Sequence, residues 1–167
     1  MPPPWTTVDE PEALDALPVR GSWVRGSLAG LALGLTAVFA VAYWLDPYES
    51  DGSARRLGTH HQLGLPPCTF YRVTGLPCPS CGMTTSFALL VRGDVGNSLR
   101  ANAVGTLLGL FCLTLIPWCV TAALTGRTPF VRSMERAVTV VVLVFLGLML
   151  LRWGVVLGTG WWRDPPW

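Results

Sequence analysis

The sequence predicts an all-α integral membrane protein with three transmembrane helices and a short interfacial helix after a cysteine-containing loop. Hydrophobic residues make up 51% of the 167 and charged residues only 13%, about half the charged share of a typical soluble domain. Three apolar stretches are each long enough, at about 1.5 Å per residue, to cross a hydrocarbon core about 30 Å thick. What lies outside them is too short, and with 14 prolines and 18 glycines too turn-rich, to build a large soluble domain. The 12 basic residues are all arginine and face 10 acids, so the dispersed net charge of +2 sets nucleic-acid binding aside.

Residues 1–25 read as a flexible tail, because Pro2, Pro3, Pro4, Pro11 and Pro18 break helices and Asp9, Glu10, Glu12 and Asp15 offer nothing to bury. Residues 26–45 carry no charge and form the first span. Ala40-Val41-Ala42 suits a signal peptidase, but the long, acidic, proline-rich region before the span argues that it is retained. Residues 46–100 form a polar loop, with a short interfacial helix over 84–91 whose Phe87, Leu90 and Val91 fall on one face. Arg92-Gly93-Asp94 ends that helix, as a basic residue, a stop glycine and a capping aspartate. Residues 101–125 form the second span, in which Pro117 is tolerated because neighbouring helices satisfy the freed carbonyl. Residues 126–136 are a basic connector, and 137–158 form the third span, which runs past Arg152 toward Trp161 and Trp162 in the C-terminal tail, 159–167.

Orientation follows from arginines near the span ends. Arg25 and the connector's Arg127, Arg132 and Arg136 favour the tail and connector inside, which leaves the motif loop on the outer face of a bacterial inner membrane. Small residues at Gly26, Gly30 and Gly34, at Gly105 and Gly109, and at Gly154 and Gly158 predict close helix packing, within one chain or between copies. The expected partners are the bilayer and a membrane-protein partner or second copy. Cys112 and Cys119, within the second span, read as small buried apolar side chains.

The loop carries the chemistry. Cys68, Cys78 and Cys81 follow His60 and His61, and Cys78-Pro79-Ser80-Cys81-Gly82 is a C-x2-C turn with a glycine behind it. Three readings stay open. The three cysteines with His60 or His61 can supply zinc's four ligands. The turn precedes a helix whose N-terminus lowers a nearby thiol pKa, which suits a redox pair, although no thioredoxin-like strand pattern surrounds it. A disulfide from Cys68 to Cys78 or Cys81 would clip the loop in an oxidising compartment. Three-span topology puts Asn102 and Arg152 beneath this loop, where the guanidinium hydrogen-bonds loop carbonyls, Asn102 or a thiolate, with Trp153 suited to the lipid side. No catalytic triad or phosphate loop is present in the sequence, and Glu135 is the only acid between Asp94 and Asp164, so no catalytic residue is assigned.

The run from Cys68, through Val73-Thr74-Gly75 and the CP-x-CG-x-T pattern ending at Thr84, to Gly93-Asp94, Arg100 and Asn102, resembles a family of small bacterial membrane proteins filed as domain of unknown function family 2752. Arg152 in the last span extends the likeness. Many family members place arginine after the threonine and asparagine after the late arginine, where this chain has Thr85 and Trp153. The resemblance implies membrane location and a motif loop, with no activity attached. The motif residues are then Cys68, Cys78, Pro79, Cys81, Gly82 and Thr84, supported by Asn102 and Arg152. The expected function is a non-enzymatic structural or accessory membrane protein with a conformation-fixing motif, and the alternative is a thiol-redox or zinc-binding protein acting through the same cysteines.

Overall fold

The computed structural model describes residues 17–18, 22–128 and 133–160. The expectations for the tail before residue 17, for 129–132 of the connector and for 161–167, with Trp161 and Trp162, lie outside the described residues. The described chain is helical: α1 (Ser22–Trp44), a 3-10 turn (Thr59–Leu63), α2 (Thr69–Thr74), α3 (Met83–Leu90), α4 (Val95–Thr125) and α5 (Met134–Thr159). Helices α1, α4 and α5, of 23, 31 and 26 residues, are long and apolar enough to cross a membrane. The backbone of Leu17–Pro18 (β1) pairs antiparallel with Arg127–Thr128 (β2) and ties the segment before α1 to the end of α4.

Two boundaries differ from the sequence reading, each for a local reason. Helix α1 starts at Ser22, so the end of the expected tail is already helical. Helix α4 starts at Val95, inside the expected loop, because the Asp94 side chain accepts from the Asn97 backbone N–H at 3.2 Å and from Asn97 Nδ2 at 2.8 Å, an N-cap. These bonds hold the Asp94 carboxyl below its ordinary pKa. The α4 backbone is then interrupted at Asn102 (φ −157°, ψ 101°). The Asn102 carboxamide oxygen accepts from the Gly105 N–H at 2.9 Å, so this residue is the N-cap of a second helix that runs to Thr125 and forms the span.

The helices lock through glycine and arginine. A Cβ on Gly82 would meet the Ala101 carbonyl oxygen at 2.6 Å, one on Gly105 would meet Ser86 Oγ at 2.5 Å, and one on Gly109 would meet Leu90 Cδ2 at 2.6 Å. Along both chains these contacts advance by four residues, so α3 runs parallel to the start of the α4 span at backbone-to-backbone range. Phe39 of α1 stacks on Phe87 of α3, with ring centroids 5.6 Å apart. Below them, Leu28 and Ala32 of α1 pack with Cys119 and Ala122 of α4. Arg92 donates to the terminal α1 carbonyls of Ala42 and Tyr43 at 3.3 and 2.7 Å, and Arg25 donates to the terminal α4 carbonyl of Ala123 at 2.8 Å. Each cation thus meets the negative end of its neighbour's dipole. By contrast, a methyl group added at Gly26, Gly30, Gly34, Gly154 or Gly158 would meet nothing within 4 Å, so these stripes make no close helix contact within the described chain.

Candidate functional site

Each motif cysteine sits where a helix begins. Cys68 is the N-cap residue of α2, which stops at Gly75 in the left-handed conformation, its N–H on the Tyr71 carbonyl at 2.8 Å. Cys78 to Cys81 make a tight turn, with the Cys81 N–H on the Cys78 carbonyl at 3.1 Å, and Gly82 (φ 83°) leads into α3. Gly82 is required there twice over, by its positive φ and by the Ala101 carbonyl that faces it.

This arrangement brings the three thiols together. The Sγ atoms of Cys68, Cys78 and Cys81 all lie within 4.8 Å of one another, half-buried. Cys78 Sγ lies 3.1 Å from Cys81 Sγ and 3.3 Å from Ser80 Oγ, and the Cys78 N–H points at Cys81 Sγ at 3.2 Å. All five cysteines carry free thiols, so the Cys68 disulfide, one of the three readings left open by the sequence, is not formed. With the Cys81 thiol donating to it, and Ser80 and Cys68 adding to that bond, Cys78 is lowered to about 5. Cys81, the donor, is pushed up by the same hydrogen bond and by burial. One ionised and one protonated sulfur therefore share the turn at neutral pH.

The cysteines open onto a cavity of about 880 Å³, also lined by His60, His61, Arg72 and Met83. His60 and His61 reach the same cavity but stand outside the sulfur cluster. Their rings lie 4.3 Å apart, and His61 Nδ1 is 3.2 Å from the Leu65 carbonyl. Burial, followed by the neighbouring His61, lowers the His60 pKa. Thr84 lines the cavity beside them.

Beneath the turn, Asn102 Nδ2 donates to the Cys81 carbonyl at 3.1 Å, and Arg152 donates to the Ala101 carbonyl at 3.1 Å, the same oxygen that packs on Gly82. The Arg152 charge is in electrostatic range of Cys81 and Cys78. Trp153, expected on the lipid side, turns instead to the loop. Its Nε1 donates to the Pro77 carbonyl at 2.7 Å and its ring meets Phe70 edge-on at 6.2 Å.

Sequence reasoning missed a buried hydroxyl set that seats the motif. Thr85, which follows the motif threonine, bonds Thr59 at 2.8 Å with both side chains buried. Ser98 donates to the Ser86 carbonyl at 2.8 Å and pairs with Thr106 at 2.7 Å across the Asn102 break. Single hydroxyls carry no sequence period, so nothing in the chain flagged them.

No curated protein and no solved structure matches the chain significantly. Residues 68–116, which hold the three cysteines, α3, Asn102 and the glycines that face α3, match the family model described as Protein of unknown function (DUF2752).

Proposed function

We propose that the chain is a non-enzymatic protein of the bacterial inner membrane whose motif loop, on the outer face, holds one metal ion through Cys68, Cys78 and Cys81. The ion would join the start of α2 to the Cys78–Cys81 turn that leads into α3. The observation that carries this reading is the convergence of three Sγ atoms within 4.8 Å. Three thiolates around one ion of zinc's size stand about 3.8 Å apart, so small side-chain rotations convert the cluster into a ligand set. Zinc would draw its fourth ligand from the cavity, where His60 and His61 stand. The outer-face placement is supported by Arg25, Arg127 and Arg136 at the opposite ends of the spans.

The test is metal content per chain in detergent-purified protein, with Cys78→Ser alongside. One equivalent in the parent, lost in a variant that still folds, is the expected result. A parent that takes up neither zinc nor Cu(I) when offered each, and a Cys78→Ser variant of unchanged stability, would overturn the reading. Labelling of chelator-treated intact cells with a membrane-impermeant maleimide should reach Cys78, and labelling only after lysis would reverse the orientation.

The 3.1 Å contact between Cys78 and Cys81 favours a second reading, a dithiol that reduces a disulfide in another protein. Cys78 thiolate attacks the partner's sulfur, and Cys81 thiolate then resolves the mixed disulfide. Two electrons pass to the partner, which leaves with two thiols. A measurable Cys78–Cys81 redox equilibrium against glutathione, in metal-free protein, supports this reading, and failure to form that disulfide excludes it.

A further inference from the structure

We propose that the cysteine cluster is matched to a soft monovalent cation, with Cu(I) as the probe, rather than to zinc, and that Met83 and Arg152 complete the match. This deepens the metal reading above and rests on it. Zinc asks for four ligands, borderline-soft sulfur, nitrogen or oxygen, whereas Cu(I) is satisfied by thiolate and thioether sulfur. Among the described residues no histidine or carboxylate joins the three sulfurs within ligand distance of one another. The oxygen beside Cys78 is the neutral hydroxyl of Ser80 at 3.3 Å. Met83, the first residue of α3 and two positions after Cys81, lines both this cavity and the neighbouring cleft against α1, and its side chain carries a further soft donor. Neutral thioether sulfur is a good ligand for Cu(I), whereas zinc takes thiolate, imidazole and carboxylate ligands.

Charge points the same way. Three thiolates around Cu(I) make a complex of charge minus two, one unit more negative than the zinc complex. The surroundings suit that charge. Among the described residues no carboxylate lines the cavity, while the guanidinium residue Arg72 does. Arg152 lies in electrostatic range of Cys78 and Cys81 while it donates to the backbone carbonyl of Ala101. The N-terminal ends of α3 and of the α4 span, at Gly82 and Asn102, stand at the same level, with Asn102 bonded to the Cys81 carbonyl.

The experiment uses full-length apo protein in detergent under anaerobic conditions. Cu(I) and Zn(II) are titrated separately against competing chelators, and the bound ions are examined by X-ray absorption. The expected result is one Cu(I) per chain in an all-sulfur shell, weakened in Met83→Leu while zinc binding is unchanged. Arg152→Gln, which keeps a donor for Ala101, should weaken Cu(I) roughly tenfold and zinc less. Zinc held with a histidine nitrogen in its shell, lost in His60→Gln or His61→Gln, together with Cu(I) binding indifferent to Met83→Leu, overturns this inference and leaves the metal reading standing. Stoichiometric binding of neither ion overturns both.

Discussion

Gly82 shows how one residue can hold a site together. Gly82→Ala would place a methyl 2.6 Å from the Ala101 oxygen and 3.1 Å from that of Arg56 at a φ of +83°, and should cost at least ~2 kcal/mol in detergent unfolding. Gly64→Ala, at a φ of +72° with open space around it, should cost only about 1 kcal/mol. Equal losses would mean that strain alone matters. Asn102 makes a second test. Its φ of −157° is open to any residue, so Asn102→Ala loses only the cap on Gly105 and the bond to Cys81, together about 1–3 kcal/mol. A third prediction concerns pH. Because Cys78 is lowered to about 5, it stays a thiolate as pH falls from 9 to 6, and its alkylation rate should stay nearly level over that range before dropping below pH 5. Cys81, shifted upward, should stay unlabelled at neutral pH, as peptide mass spectrometry would show. A Cys78 rate that falls tenfold per unit below pH 8 would contradict the assignment. The sequence made the cysteines and Gly82 visible as one compact motif, and Asn102 and Arg152 visible as polar residues set in apolar spans. It did not reveal that Gly82 and Arg152 meet at one carbonyl, since a backbone oxygen has no residue-type signature.

The spans were legible because hydropathy is summed over many residues, and the start of α4 was not, because one capping aspartate decides it. Glycine spacing taught the opposite lesson. Identical four-residue steps occur in α1 and α4, yet only those at Gly105 and Gly109 meet a neighbour, since what a glycine stripe faces is a tertiary fact. Two substitutions separate the cases. Gly105→Val should drive Ser86 and α3 away from α4, lowering Tm and loosening the motif turn, whereas Gly30→Ala should be neutral or slightly stabilising through helix propensity. Thermal melts of the two variants in one detergent check this. A destabilising Gly30→Ala would place another helix against that face.

At the scale of the whole molecule, α5 is held differently from its neighbours. None of its described residues is buried, and its described contacts include the Phe111–Phe145 and Phe70–Trp153 ring pairs and the two bonds made by Arg152 and Trp153. Trp153→Phe keeps the aromatic contact with Phe70 and loses the bond to Pro77, so it should cost about 1 kcal/mol and raise the accessibility of Cys78 to a maleimide. Unchanged labelling would mean that α5 does not restrain the loop. Helices α3 and α4, in turn, engage like the teeth of a ratchet, Gly82 on Ala101, Ser86 on Gly105 and Leu90 on Gly109. A ratchet has discrete stops. Sliding α3 by one turn would undo all three fits, so the level of the Cys78–Cys81 turn along α4 is set by these teeth together with the Thr59–Thr85 bond from the preceding loop. Longer turns can therefore be grafted at the exposed tip that Glu49 and Ser53 close, which touches none of these teeth, without moving Cys78 and Cys81.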